Sequence, residues 1–142
     1  MSRAGACPCG AVRYSVTGPV RDVIVCHCKA CRAATGGAWE ATAARREDLV
    51  VEDDASVTWE RAAVSAHGAS RGRCRSCGTT VFWSAPGRDT VSFGVATLAD
   101  PSGLEVAAHI WVDDAERREL LPADVPVAGG GLPASVAVPW RA

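Results

Sequence analysis

Seven cysteines, arranged in three groups, constrain the fold of this chain more than any other feature of its sequence. The groups are Cys7-Pro-Cys9, Cys26-His-Cys28-x-x-Cys31 and Cys74-x-x-Cys77. Residues i and i+2 of an extended segment share a face, so each Cys-x-Cys pair presents two sulfurs to the same side. A Cys-x-x-Cys turn closes around one ion as in zinc knuckles, and Gly78, directly after the last cysteine, suits the positive φ of such a turn. The pattern predicts metal ligation.

Disulfide bonding is the less favoured use of these cysteines. Their count is odd, and a Cys-x-Cys disulfide would close a small strained ring. The N-terminal segment has no hydrophobic stretch typical of a signal peptide, and no apolar run approaches the ~20 residues of a membrane helix. We therefore predict a cytoplasmic location, where a reducing environment keeps thiols free. A redox-active dithiol at Cys28 and Cys31 is a further alternative, although three clustered sulfurs favour a metal.

The spacing of the three groups predicts two metal sites of different kinds. Two pairs combine into four thiolates and the third group supplies three, because any other partition splits a local pair or strands a thiol. The first site, a structural zinc saturated by its four thiolates, comprises Cys7, Cys9, Cys74 and Cys77. The second site, a zinc of the catalytic type, comprises Cys26, Cys28 and Cys31. Three protein ligands leave the fourth position for water or an exogenous ligand.

The chemistry of the second site depends on what fills this fourth position. A thiolate-rich zinc is a soft ion that suits another thiolate, and coordination would hold an incoming thiol deprotonated. The alternative is a histidine ligand, which would make the second zinc purely structural. His67 and His109 are candidates for that ligand. His27 lies between two cysteines on a predicted strand, so we expect it to face away from their metal.

Strand signals dominate the rest of the chain and predict a mostly β fold. Alternation of apolar and polar residues indicates strands at residues 11–16, 90–97 and 105–112. Shorter strands are predicted at residues 22–26, 38–43, 49–52, 57–61, 63–67 and 80–84. Residues 113–121 predict a helix of two turns. Residues 122–142 carry four prolines and a triple glycine. They predict an irregular tail after a single domain that spans residues 1–121.

The charge of the chain is nearly balanced, with 15 Lys and Arg against 16 Asp and Glu and a net charge of −1. A balance of this kind creates no field that would gather nucleic acid or anionic lipid. We therefore predict neither a nucleic acid nor a membrane as a partner. The arginines of the segment 71–75 are expected to offset the negative charge of the four-thiolate site or to be solvated.

Four motifs together resemble one known family. They are "CPCGAVRYSV" (7–16), "VCHCKACRAATGG" (25–37), "RCRSCGTTVFW" (73–83) and "HIWVDD" (109–114). From about residue 7 to about residue 121, the chain resembles the glutathione-dependent formaldehyde-activating enzymes, a family that includes centromere protein V-like proteins. The resemblance implies a β-tent zinc-binding fold of small antiparallel sheets with little helix. It also implies the same division of the cysteines into a structural and a catalytic-type zinc.

The resemblance also implies an activity. The founding reaction of the family joins formaldehyde to the thiol of glutathione and gives S-hydroxymethylglutathione; formally it is a carbon–sulfur lyase reaction. We expect a zinc-dependent lyase that adds a small, glutathione-like thiol to formaldehyde or a related aldehyde. From the residues themselves, Arg32 and His109 are candidate substrate-binding residues, Arg32 for a substrate carboxylate. No residue stands out as the general acid, for which His109 and His27 are candidates. The alternative function is a non-catalytic interaction module with two structural zincs.

Overall fold

The computed structural model describes residues 2–62, 65, 67–115 and 121–142, which are mostly β. The described strands are β1 (Ser2–Ala6), β2 (Arg13–Thr17), β3 (Val20–Arg21), β4 (Val23–Cys26), β5 (Trp39–Arg45), β6 (Leu49–Val51), β7 (Val57–Arg61), β8 (Ser70–Cys74), β9 (Thr80–Ser84), β10 (Thr90–Gly94), β11 (Val106–Ile110) and β12 (Trp140–Arg141). Within those ranges there is one α-helix, α1 (Lys29–Thr35), and no helix suited in length and apolarity to crossing a membrane. The expectation of a mostly β chain with little helix is confirmed.

Seven of the strands form the main sheet, in the order β11-β4-β5-β10-β9-β8-β7. Its neighbouring strands are antiparallel apart from β4 and β11, which run parallel. The other strands form an antiparallel three-stranded sheet, β1-β2-β6, and an antiparallel pair, β12-β3. Two cysteines stand at strand ends of the main sheet, Cys26 on β4 and Cys74 on β8. The main sheet therefore carries part of both cysteine sets.

The core forms where β2 meets aromatic residues of the main sheet. Every second residue from 12 to 16 is buried, as the alternation of the sequence predicted. The ring of Tyr14 packs edge-on against Phe82 and Phe93, with 5.3 Å between ring centroids in each pair. Its hydroxyl shares a 2.6 Å hydrogen bond with Thr97, so this buried oxygen is satisfied. Gly5 on β1 lies against the same ring, which occupies the space that a Cβ would need.

Several elements differ from the prediction. The sequence analysis does not predict α1, whose first turn is organised by the side chain of Cys28 at the N-cap. It also does not predict β8, which begins at Ser70. The predicted strand at 63–67 and the predicted helix at 113–121 lie partly outside the described residues. Of the second segment, the structure describes a 3-10 turn at Val112–Asp114.

The C-terminal segment returns to the domain. After residues 122–139, which contain no helix or strand, β12 pairs with β3. Arg141 donates to both carboxylate oxygens of Asp22, from Nη2 to Oδ2 at 2.8 Å and from Nε to Oδ1 at 3.1 Å. Asp22 is 2% exposed, and the hydrogen bonds from Arg141 hold the pKa of its carboxyl below the ordinary value. An ion pair between the partly exposed Arg141 and the buried Asp22 thus fastens the end of the tail to the beginning of β4.

We predict that Arg141→Met measurably lowers the free energy of unfolding, because the buried carboxylate of Asp22 loses its charged donor. The N–H of Glu105 remains as its other donor. Urea denaturation at constant zinc concentration measures the change. Arg45, an exposed arginine on β5, provides the control. Arg45→Met should stay within about 0.5 kcal/mol of the wild type, and equal losses in the two variants would contradict the role of the ion pair.

Candidate metal centres

Four cysteines from distant parts of the chain meet at one end of the β1–β2 sheet. Their sulfurs all lie within 4.8 Å of one another, and the members are Cys7, Cys9, Cys74 and Cys77. The Sγ atoms of Cys7 and Cys9 are 3.5 Å apart, and those of Cys9 and Cys74 are 3.6 Å apart. Four sulfurs placed tetrahedrally at 2.3 Å from a zinc ion are about 3.8 Å from one another. The group therefore has the dimensions of a four-thiolate zinc site.

Two similar turns build this group. The backbone N–H of Val12 donates to Cys7 Sγ at 3.3 Å, and the N–H of Cys77 donates to Cys74 Sγ at 3.4 Å. Each turn closes on a glycine of positive φ, Gly10 at 79° and Gly78 at 77°. Each of these glycines donates its N–H, at 2.9 Å, to the carbonyl of the cysteine that opens its turn. The glycines are needed because a side chain at this φ would be strained.

The four-cysteine group lies half inside the core. Cys7 and Cys74 are 3% and 2% exposed and belong to the main hydrophobic cluster, whereas Cys9 and Cys77 are exposed. Hydrogen bonds to the side chain and backbone of Thr79 lower the pKa of the Cys77 thiol to about 6. An ion bound by this group would link the turn after β1 to the turn after β8, and two of its ligands, Cys7 and Cys74, would be buried.

The remaining three cysteines meet at the junction of β4 and α1. Cys26 ends β4, Cys28 caps α1 and Cys31 lies in its first turn, with the three sulfurs within 4.8 Å of one another. The N–H of Cys31 donates to Cys28 Sγ at 3.2 Å, so the helix cap and the sulfur cluster depend on the same bond. No histidine or carboxylate among the described residues joins this group. The alternative of a histidine as fourth ligand therefore finds no support in the described part of the chain.

The protons of this cluster are shared unequally. Hydrogen bonds from Cys26 and Cys31 hold the pKa of Cys28 far below its ordinary value. Cys26 donates its hydrogen bond to Cys28, which raises the pKa of Cys26, and burial raises that pKa further. A second negative charge at this distance is repelled by the first. A divalent ion would remove that repulsion and let all three sulfurs coordinate.

Arg71 of β8 is a neighbour of this cluster that the sequence analysis assigned to the wrong site. We expected the arginines of residues 71–75 to offset the four-thiolate group or to be solvated. Arg71 is instead buried, at 9% exposure, and its Nη2 lies 3.5 Å from Cys31 Sγ. Arg73 and Arg75 donate to the carbonyls of Gly78 and Ala55. In the sequence, the one signal for Arg71 was its position between the small apolar residues Ala69 and Gly72.

Two of the predicted histidines meet beside β4. His27, 3% exposed, lies 2.8 Å from His109 of β11 between Nε2 and Nδ1, and the two rings are stacked. Burial, and then the charge of His27, lower the pKa of His109. The backbone N–H of His27 donates to Ile110, which is the parallel partner of Cys26. The pair therefore lies beside the backbone segment that joins Cys26 to Cys28, whereas His67 packs edge-on against Trp83.

A cleft of about 710 Å³ opens between the C-terminal end of α1 and the turn that carries Cys77. Trp39 and Glu40 of β5 line one side, and Thr35 and Gly36 at the end of α1 line another. Neither of the predicted substrate-binding residues belongs to its wall. Arg32 lies on α1 directly after Cys31, and His109 lies beside His27.

Comparisons with known proteins agree with these features. The family described as glutathione-dependent formaldehyde-activating enzyme matches residues 2–114, a range that includes all seven cysteines. A crystal structure of a Rhodobacter sphaeroides protein, a structural genomics target, is similar with a TM-score of 0.56 and 25% identity. That similarity covers 89% of this chain and 99% of the other. Curated proteins gave no match. Because the family match spans most of the chain and both cysteine groups, the protein belongs to the family of glutathione-dependent formaldehyde-activating enzymes.

Proposed function

We propose that this protein is a zinc-dependent carbon–sulfur lyase, similar to S-(hydroxymethyl)glutathione synthase, that adds a small thiol to formaldehyde or a related aldehyde. The observation that supports it best is the cluster of Cys26, Cys28 and Cys31. These three sulfurs are close enough to bind one ion, and in the described part of the chain no further ligand completes the set. A tetrahedral ion held by these three sulfurs would have one coordination position left for a substrate.

The two cysteine groups would hold zinc for different purposes. Four sulfurs from two glycine-closed turns would saturate one ion, which would then cross-link segments that are distant in sequence and contribute on the order of 10 kcal/mol to folding. Three sulfurs at the start of α1 would hold a second ion with an open position. All seven cysteines are free, which suits metal binding in a reducing compartment such as the cytoplasm. Soft thiolate donors favour zinc over the hard divalent cations.

The proposed reaction forms one carbon–sulfur bond. A zinc ion at the three-cysteine site would keep the incoming thiol deprotonated near neutral pH. The thiolate sulfur attacks the carbonyl carbon of the aldehyde, the C=O π electrons move to oxygen, and that oxygen takes up a proton to give a hemithioacetal. The reverse reaction breaks the same bond and releases the aldehyde. The chain's contribution is to hold thiol and aldehyde together in a reactive geometry.

Residues beside the cluster would bind substrate and carry the proton. His109 is half-buried and hydrogen-bonded to the buried His27 at 2.8 Å, so the pair could deliver a proton to the aldehyde oxygen and recover it. Arg32, one residue beyond Cys31 on α1, would bind a carboxylate of the thiol substrate. Glutathione is the first candidate thiol because it is the substrate of the family's founding reaction.

We predict close to two zinc ions per chain in protein purified without chelator. The four-thiolate group should be fully occupied, whereas three ligands hold a metal less tightly and should lose some of it during purification. Elemental analysis by mass spectrometry, normalised to protein concentration, measures the ratio. A steady value of one zinc per chain would contradict the division into two sites.

The two groups should also fail differently when a ligand is removed. Cys77→Ser should unfold or aggregate the protein, because it opens a site that joins sulfurs 65 residues apart. Cys31→Ser should leave a folded domain that has lost the second metal and the thiol chemistry. Circular dichroism, thermal melting and zinc content separate these outcomes, with Ser76→Ala in the turn of Cys77 as a control. Equal collapse of both cysteine variants would favour the alternative of two structural zincs in a non-catalytic module.

The reaction itself can be followed at equilibrium. Formaldehyde and thiols combine without a catalyst, so we predict that the protein accelerates exchange between free and thiol-bound ¹³C-formaldehyde without changing their ratio. Exchange spectroscopy by NMR measures the rate with glutathione and with other small thiols. Cys31→Ser should return the rate to the uncatalysed value. No acceleration with any thiol and aldehyde pair would refute the enzyme.

Binding of the thiol can be observed separately from turnover. In protein whose second site contains cobalt, the thiolate charge-transfer band should intensify when a thiol binds, because three sulfur ligands become four. The affinity should weaken as pH falls, since the incoming thiol must lose its proton to coordinate. A spectrum that no thiol changes would remove the main support for the proposed function.

A further inference from the structure

Arg71 is a buried cation that faces the three-cysteine cluster. It lies on β8, its side chain is nearly inaccessible to solvent, and its Nη2 lies 3.5 Å from Cys31 Sγ. Its cross-strand neighbour in β7 is Glu60, but the carboxylate of Glu60 binds Arg73 instead, at 3.2 Å. Among the described ion pairs none includes Arg71. The cysteine cluster is therefore the anionic group that this guanidinium contacts.

A buried guanidinium needs an anionic partner, because leaving water without one is costly. The partner's charge depends on the metal site. A zinc ion with three thiolates has a net charge of −1, and a fourth thiolate would make the net charge −2. A neutral fourth ligand, such as water or imidazole, would leave it at −1. A fixed positive charge beside the cluster therefore favours the thiolate-bound form more than the form with a neutral ligand.

We propose that Arg71 is a specificity-determining, positioning residue that makes the open coordination position prefer an anionic thiolate to a neutral ligand. The inference rests on the proposed function, since it concerns the fourth ligand of the same site. Arg71 acts through Cys31, to whose sulfur its N–H donates, and through its charge. The guanidinium is suited to this role because it carries its positive charge on a planar group that keeps its donors in fixed directions.

The test compares an anionic and a neutral ligand in the same protein. Wild type and Arg71→Met, with cobalt in the second site, are titrated with 2-mercaptoethanol and, separately, with imidazole. Loss of the buried positive charge should weaken thiol binding in Arg71→Met about tenfold or more, because the thiolate-bound site carries one more negative charge than the site with a neutral ligand. Imidazole affinity should stay within about twofold, because a neutral ligand adds no charge for Arg71 to offset. Removal of the N–H donor should also shift the thiolate-to-cobalt band to lower energy before any ligand is added.

Arg73→Met is the matched control, because Arg73 lies two residues away on the same strand and binds Glu60. It should leave both affinities and the band position unchanged. Equal weakening of thiol and imidazole binding in Arg71→Met would mean a packing role and overturn the proposal, as would an unchanged thiol affinity. If Arg71→Met does not fold, the same titrations are made with Arg71→Lys, which keeps the positive charge. Retention of the wild-type preference for thiol over imidazole supports a role of the charge. A parallel loss of both affinities overturns the proposal.

Failure of the proposed function would look different. If the wild-type cobalt protein binds no thiol, both the proposed function and the inference about Arg71 are refuted. If the wild type binds thiol and accelerates exchange while Arg71→Met does so equally well, the proposed function stands and the inference about Arg71 alone is refuted.

Discussion

The structure depends on the meeting of two cysteine turns that are distant along the chain. Cys7 and Cys74, one from each turn, are buried in the same hydrophobic cluster as Tyr14, Phe82 and Phe93. A core with so few large side chains gains much from a cross-link at its edge. Under the proposed function that link is a zinc ion, whose binding energy would appear as folding energy. The turn that follows β1 and the turn that joins β8 to β9 would then be positioned by one interaction.

The seven cysteine sulfurs lie in two kinds of backbone environment. Two sulfurs of the four-cysteine group accept backbone N–H groups within turns that close on a glycine. In the three-cysteine group, Cys28 instead caps α1 and accepts the N–H of Cys31. The first arrangement would surround an ion with four sulfurs, whereas the second places three sulfurs at the junction of a strand and a helix and leaves one side for other groups. This difference in backbone supports the difference in proposed role.

The surroundings of the second cluster come from three strands. Arg71 approaches from β8, His109 from β11, and β4 leads into the cluster through Cys26 and His27. Arg71 places a positive charge beside sulfurs that would be negative when metal is bound, and His27 and His109 form an imidazole pair directly after β4. Strands of the main sheet carry or flank these groups, and strands hold side chains more rigidly than loops do.

The sequence by itself determined what is local. The Cys-x-x-Cys turn with its glycine and the alternation along residues 12–16 depend on neighbours within a few positions, and the structure contains both. The extended segment expected for Cys7 and Cys9 is instead a turn that closes on Gly10. Only the tertiary structure decided contacts between distant residues, such as Asp22 with Arg141 and His27 with His109. The burial of Arg71 against Cys31 belongs with them. Periodicity cannot reveal these contacts, because they depend on the order of strands in the sheet. That β11 runs parallel to β4, and that β8 lies five strands away from β11, is not recorded in any local sequence pattern.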